Sequence, residues 1–172
     1  MKNKSNRISI VGGSGSGKSR LARELAEKLD LPVLHLDTKY YQENWSVGDI
    51  DKFKDCLLDT IYQDQWIIDG NFVDYFPEER FDRSDLIIFI DTNRFVNLKS
   101  MYKRYKKCQN KERDDLPKGC HDSIDKEYLK DILVNFNKHE RKKILFEIGS
   151  YQGRLQIFKS RKKMYKWIDI NL

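Results

Sequence analysis

Apolar positions along the chain switch repeatedly between two periods, and each switch marks a boundary between strand and helix. Ile8 to Val11 is a short apolar run that stops at glycines, the pattern of a buried strand feeding a loop. From Lys18 onward, Leu21, Ala22, Leu25, Ala26 and Leu29 recur three and four apart, which predicts a helix with one face on a sheet. Leu31-Pro32 ends that helix, and Val33 to Leu36 predicts a second strand that closes at Asp37. Thr38 to Asp49 is polar and aromatic and reads as a loop. Ile50, Phe53, Leu57 and Ile61 then restore helical spacing. Trp66-Ile67-Ile68 predicts a third strand, and a Pro- and charge-rich connection leads to a fourth at Leu86 to Ile90. That fourth run is continuously apolar, as a central strand covered on both faces must be.

Beyond it, Phe95, Leu98, Met101, Tyr102 and Tyr105 suggest a helix that grades into basic sequence. Cys108 to His121 has charges, Pro117 and Gly119 but no period, and reads as a mobile loop or lid. Tyr128, Leu129, Ile132, Leu133 and Phe136 predict a long helix, continued or followed by one carrying Ile144, Leu145 and Ile148. Leu155 to Phe158 predicts the last strand and Lys162 to Ile168 the last helix. Strands alternating with helices predict an α/β fold built on a parallel sheet. The 172 residues fit one domain, and no repeat or interdomain linker is visible.

Composition narrows the function classes. Hydrophobic residues make up 39% and charged residues 35%, values expected of a globular protein with a heavily charged surface. No run approaches the ~18 apolar residues of a membrane span. The apolar stretch after the basic MKNKSNR segment is too short for a secretory signal, so a cytoplasmic address is expected. Cys56, Cys108 and Cys120 are odd in number and widely spaced, which excludes a disulfide scaffold and a CxxC metal site. The net charge of +6 favours anionic partners, triphosphates and nucleic acid among them. Its basic residues gather in two stretches, Lys99–Lys118 and Lys138–Lys166, each of which also reads as a solvated helix face.

The decisive chemistry lies at Gly12-Gly13-Ser14-Gly15-Ser16-Gly17-Lys18-Ser19, a full match to GxxxxGK[ST] between a buried strand and an amphipathic helix. Its glycines let the backbone curl around phosphate with successive N–H groups turned inward. The following helix adds its N-terminal N–H groups and the positive end of its dipole. Lys18 can reach the β and γ oxygens, and the Ser19 hydroxyl is a natural Mg²⁺ ligand. ATP with Mg²⁺ is the expected occupant.

With this loop, Asp37, Asp69-Gly70 and the basic stretch in view, the chain resembles the adenylate kinase-like and shikimate kinase-like P-loop kinases. It is similar, more narrowly, to the bacterial DNA topology modulation proteins. The narrower likeness is carried by HLD at 35–37, WIIDGN at 66–71, the stretch from Arg113 to Cys120, and Asn135-Phe136 before a basic run. The resemblance implies a three-layer α/β/α fold with a five-stranded parallel sheet in the order 2-3-1-4-5, and a mobile basic lid around 104–121. It implies that Asp69 helps hold Mg²⁺ through water and that Asp37 lies beside the phosphoryl acceptor. It also implies that Arg104 and Arg113 close on the triphosphate from the lid.

The residues themselves agree more loosely. Asp37, Asp69 and Asp91 each follow an apolar strand, and ligands of open α/β sheets bind beyond the carboxyl ends of strands. Asp91 reads as a helix cap or loop residue, because Thr92 and Asn93 add further capping groups. Asp69 precedes Gly70-Asn71, so an Asx-turn competes with a catalytic role. Residues 38–79 contain no arginine, which argues against an ordinary nucleoside monophosphate acceptor. Lys52 and Lys54 flank Phe53 and are expected to face solvent, which leaves Lys39 as the well-placed cation. Tyr40, Tyr41 and Trp45 either line an acceptor pocket with Asp37 and Lys39 or pack the second helix down. The reading favoured is a small-molecule phosphotransferase of unknown acceptor. The alternative is a nucleotide-dependent nucleic-acid-binding or regulatory protein, although no recognised nucleic-acid-binding motif is present.

Overall fold

The computed structural model describes residues 5–108, 115–117, 119–120 and 124–172. Five parallel strands form one sheet, and helices pack on both of its faces. The strands are β1 (Arg7–Gly12), β2 (Val33–His35), β3 (Trp66–Asp69), β4 (Leu86–Ile90) and β5 (Arg154–Phe158), in the spatial order β2-β3-β1-β4-β5. That is the order expected. Every residue of β3 and β4 is buried, which is why both read as unbroken apolar runs rather than alternating ones.

Side chains on alternate strand positions separate into the two halves of the core. Ile8 and Ile10 of β1, with Leu86, Ile88 and Ile90 of β4, face Leu21 and Leu25 of α1 (Lys18–Leu29). Met164 and Ile168 of α8 (Arg161–Asn171) complete that layer. On the opposite face, Val11, Ile87 and Phe89 meet Phe81 of α4 (Pro77–Asp82) and Ile144 of α7 (Arg141–Glu147). Farther along the same face, Trp66 and Ile68 lie beneath Phe53, Leu57 and Ile61 of α3 (Ile50–Ile61). Each such fully buried aliphatic side chain contributes roughly 1.5–3 kcal/mol of hydrophobic stabilisation before the entropy of ordering is set against it.

Three local expectations change, and a fourth gains a detail. Thr38–Asp49 is not a plain loop: α2 (Asp37–Tyr40) and a 3₁₀ turn (Glu43–Trp45) lie in it, closed by a bridge between Tyr41 and Val47. The charged connection before β4 contains α4, started by Pro77 in its first turn, where the missing N–H is no loss. The helix α5 (Arg94–Cys108) buries Asn97 and Met101, while Phe95 and Tyr102 are 62% and 48% exposed. The helix after Asp125 runs from α6 (Lys126–Lys130) through a π-helical stretch (Asp131–Glu140) into α7. The wider turn keeps Ile132, Phe136, Ile144 and Ile148 buried along one continuous run. No helix among the described residues is long and apolar enough to cross a membrane.

Candidate functional site

Strand register brings the chemistry to one edge. Ile10 pairs with Asp69 and Asp69 with His35, while Gly12 pairs with Ile90 and Ile90 with Phe158. Every strand therefore ends at the same side of the sheet, where a cleft of about 1610 Å³ opens.

The phosphate loop occupies the centre of that edge. Gly15 has φ +73°, and a Cβ there would stand 2.6 Å from the carbonyl oxygen of Asn97, so only glycine fits. Behind it, the Thr92 hydroxyl donates to Asn97 Oδ1 (2.5 Å), fixing the start of α5. The backbone N–H of Gly12 donates to Asn71 Oδ1 (2.9 Å), and Asn71 Nδ2 donates in turn to Glu140 Oε2 (2.8 Å). Lys18 Nζ arches back to donate to the carbonyls of Gly12 (2.8 Å) and Gly13 (3.2 Å). No side chain caps α1 and no acid lies in its first turn, in contrast to α3, which Asp49 caps through the N–H groups of Asp51 and Lys52.

Arg161, the first residue of α8, holds the loop from outside. Its Nε donates to the Ser16 carbonyl (2.8 Å), one Nη to the Gly15 carbonyl (2.6 Å) and the other to Ser100 Oγ (2.7 Å). Burial pushes this guanidinium below its ordinary value, but it stays charged at neutral pH because the ordinary value is so high.

The carboxylates sit beside the loop in different environments. Asp69 is buried, with Oδ2 accepting from His35 Nδ1 (2.7 Å) and Oδ1 without a hydrogen-bond partner. The observed arrangement is a carboxylate–imidazole pair, not an Asx-turn closed by the Asp69 side chain. Asp37 opens α2, is half-buried and lines the same cleft. Asp91 is elsewhere: Arg141 clasps it through two bonds of 2.8 and 2.9 Å, while Asn93 caps α5 by accepting from the N–H of Phe95.

Beneath Asp69 lies the fully buried Arg80. Its guanidinium donates to the carbonyls of Gly70 (2.9 Å) and Asn71 (2.8 Å) and to Ser9 Oγ (3.2 Å). Desolvation pushes this group down to about 9, opposed by the charge of Asp69, so it too remains a cation at pH 7.

The structure thus gathers Ser14, Gly15, Gly17, Lys18, Ser19, Asp37, Tyr40, Asp69 and Arg104 around one cleft. Gly12, Gly13 and Ser16 are buried behind that surface. Lys39 is exposed on α2 and is not among the residues that line the cleft. Arg113 lies outside the described residues, as do His121 and part of the expected lid; no cluster that could hold a metal through His, Cys, Asp and Glu occurs among the described residues. Of that stretch, Asp115, Leu116 and Cys120 are buried. Asp115 pairs with Arg23 of α1 (3.4 Å), and Cys120 Sγ donates to the Gln42 carbonyl (3.1 Å) and accepts from the N–H of Trp45 (3.4 Å).

Sequence reasoning missed Asn71, Arg80 and Arg161, and it used His35 only as a landmark. Arg161 and His35 stand at carboxyl ends of strands, so the rule that selected the aspartates also selects them. Arg80 carries no such signal, since PEERFD reads as an exposed helical turn.

No family model matches the chain, and no curated protein matches it. Solved structures do. Shikimate kinase from Acinetobacter baumannii in complex with shikimate aligns with a TM-score of 0.58 at 15% identity, over 96% of this chain and 94% of that one. A gluconokinase from Sinorhizobium meliloti aligns at 0.55 and 14%, over 97% and 89%. Deoxyadenosine kinase from M. mycoides with bound dATP aligns at 0.53 and 15%, over 95% and 97%. The fold is that of the P-loop kinases. At these identities the P-loop kinase likeness covers the whole architecture and leaves substrate and activity to the residues of the cleft.

Proposed function

We propose that this chain is an ATP- and Mg²⁺-dependent phosphotransferase acting on a small hydroxylated molecule. One observation carries the reading: the phosphate loop, through Ser14, Gly15, Gly17, Lys18 and Ser19, and two carboxylates, Asp37 and Asp69, line a single cleft. The orphaned Asp69 Oδ1, buried beside the loop, suits a hydrated divalent cation, with the Ser19 hydroxyl as the direct ligand and Asp69 acting through water. Bound there, Mg²⁺ would supply neutralisation of the charge on the β- and γ-phosphates.

The chain's own groups divide the remaining work. Loop N–H groups and the start of α1 bind the triphosphate. Lys18 exchanges its two carbonyl partners for phosphate oxygens. Asp37 orients the acceptor hydroxyl and takes its proton. Arg104, and Arg113 from the same lid around 104–121, offset charge as it builds on the transferring group. Lid closure excludes water, the competing acceptor.

The test is phosphoryl transfer from ATP to a panel of nucleosides, nucleotides and hydroxylated metabolites, with Lys18→Ala measured for nucleotide affinity. Transfer to one acceptor class, with binding lost in Lys18→Ala, supports the reading. Slow ATP loss with no acceptor sinks it, and unchanged affinity in Lys18→Ala sinks the loop assignment. The narrower likeness to DNA topology modulation proteins belongs with this proposal, and strongly salt-dependent DNA binding without any transfer would favour that alternative.

A further inference from the structure

The wall of the cleft beyond Asp37 is aromatic. Tyr40, Tyr41 and Trp45 come from the segment after β2, and Phe72 and Tyr75 from the segment after β3; all five line the cleft. Their rings interlock, with centroids 4.7 Å apart for Tyr40–Phe72, 4.9 Å for Tyr40–Tyr41 and 5.4 Å for Tyr41–Trp45. Tyr40 also shares a hydrogen bond with Tyr75, which holds its hydroxyl above the usual tyrosine value.

Tyr40, Phe72 and Tyr75 also pack against the core beneath α3, but packing does not account for the backbone at two of the five positions. Trp45 has φ +60° and Phe72 has φ +41°, left-handed backbone that bulky residues avoid. Such a conformation is disfavoured and persists where the surroundings enforce it. Trp45 is enforced by its N–H bond to Cys120 Sγ, yet its side chain stays 40% exposed at the cleft. Its ring is aimed at the cleft rather than buried for stability. Phe72 is placed by the turn that Arg80 grips at Gly70 and Asn71.

The segments that supply this wall lie within residues 38–79, which contain no arginine, and none of their three lysines lines the cleft. Lys143 pairs with Asp74, next to Tyr75, at 2.7 Å. Arg23 pairs with Asp115, and Arg80 is engaged by carbonyls behind Phe72. The cleft's cations Lys103, Arg104 and Lys107 come instead from α5, the helix whose Asn97 packs on the phosphate loop, so a phosphate on the acceptor finds no counter-ion within the wall itself.

Resting on the phosphotransferase reading, we infer that the acceptor is an uncharged alcohol carrying a planar ring, the class to which nucleosides belong. The ring stacks against Trp45 and Phe72 and its hydroxyl meets Asp37. That hydroxyl oxygen attacks the γ-phosphorus of ATP and forms a new P–O bond. The bond from the γ-phosphorus to the β–γ bridging oxygen breaks, and ADP leaves with the electron pair. The hydroxyl proton passes to the Asp37 carboxylate and then to water.

The experiment uses the full chain with Mg²⁺ and ATP, offering adenosine and cytidine, their 5′-monophosphates, and ring-free polyols and hydroxy acids. Ring binding is followed separately, without ATP, by quenching of tryptophan fluorescence. Transfer to a nucleoside is expected, together with quenching that Trp45→Ala abolishes. Stacking on an aromatic side chain is worth about 1–3 kcal/mol per base, so Trp45→Ala should raise the nucleoside KM about tenfold or more, with ATP affinity unchanged. Trp45→Phe should restore most of the loss. Transfer to a monophosphate or a ring-free acceptor, with nucleosides inert, overturns this inference and leaves the kinase reading standing. No transfer to any class overturns the kinase reading; absence of nucleoside-dependent quenching then overturns the ring-binding wall as well.

Discussion

Replacing Arg80 by methionine tests whether the buried guanidinium is what shapes the site. Methionine keeps the length and removes the three donated hydrogen bonds. Ser9 Oγ keeps its bond to Ser84 Oγ (2.9 Å), so the hydroxyl is not orphaned. The Gly70 carbonyl loses its Arg80 bond inside the core, and the Asn71 carbonyl loses its own at the margin, where water can partly replace it. An orphaned buried acceptor costs about 1–3 kcal/mol, so the two together cost roughly 2–4 kcal/mol. Asp69 also loses its nearest buried positive charge, which adds to the cost, while removing a desolvated cation offsets part of it. A net loss of about 3 kcal/mol lowers the melting temperature of a chain this size by roughly 6–12 °C. Urea unfolding monitored by circular dichroism measures it, with an unchanged m-value showing that stability alone has moved. Nucleotide affinity should fall too, because Asn71 reaches Gly12 from the turn that Arg80 holds. Arg80→Lys retains the charge without the three-way fork and should lie between. An Arg80→Met protein with the wild-type urea midpoint would refute the reasoning.

Two further outcomes are expected. Gly15→Ala forces a Cβ to within 2.6 Å of the Asn97 carbonyl at a left-handed φ, so ATP affinity by calorimetry should drop about tenfold or more, each tenfold step being 1.4 kcal/mol; Gly149→Ala, with no atom within 4 Å, is the control that should change nothing. Burial raises the Asp85 carboxyl, but hydrogen bonds from the Arg7 side chain and from the N–H groups of Asn6 and Arg7 outweigh it and leave the group below its ordinary 3.8. The stability it contributes is therefore whole above about pH 4 and lost as pH falls through the native value, so the gap of about 1 kcal/mol between wild type and Asp85→Asn should close in acid denaturation curves and stay constant from pH 5 to 8.

The sheet was legible because buried parallel strands leave continuous apolar runs, and Leu86–Ile90 is the plainest of them. The loop was legible because phosphate binding needs glycine at fixed spacings. What escaped were residues whose roles arise only from tertiary placement. Arg80 looks like a surface residue until α4 lies on the sheet and points it beneath Gly70. Of the apolar period of α5, Met101 faces inward as read, but Phe95 and Tyr102 stay exposed while the polar Asn97 is buried, its backbone presented to Gly15. Lys39 follows Asp37 closely in sequence, but of the two Asp37 alone lines the cleft.

Cys120 ties two flaps of the cleft to each other rather than to the sheet. Its sulfur bridges the Gln42 carbonyl and the Trp45 N–H, while Asp115, five residues earlier, is anchored to α1. Both sulfur bonds reach the Gln42–Trp45 segment, so the placement of the Trp45 ring is held by a thiol that does not itself line the cleft.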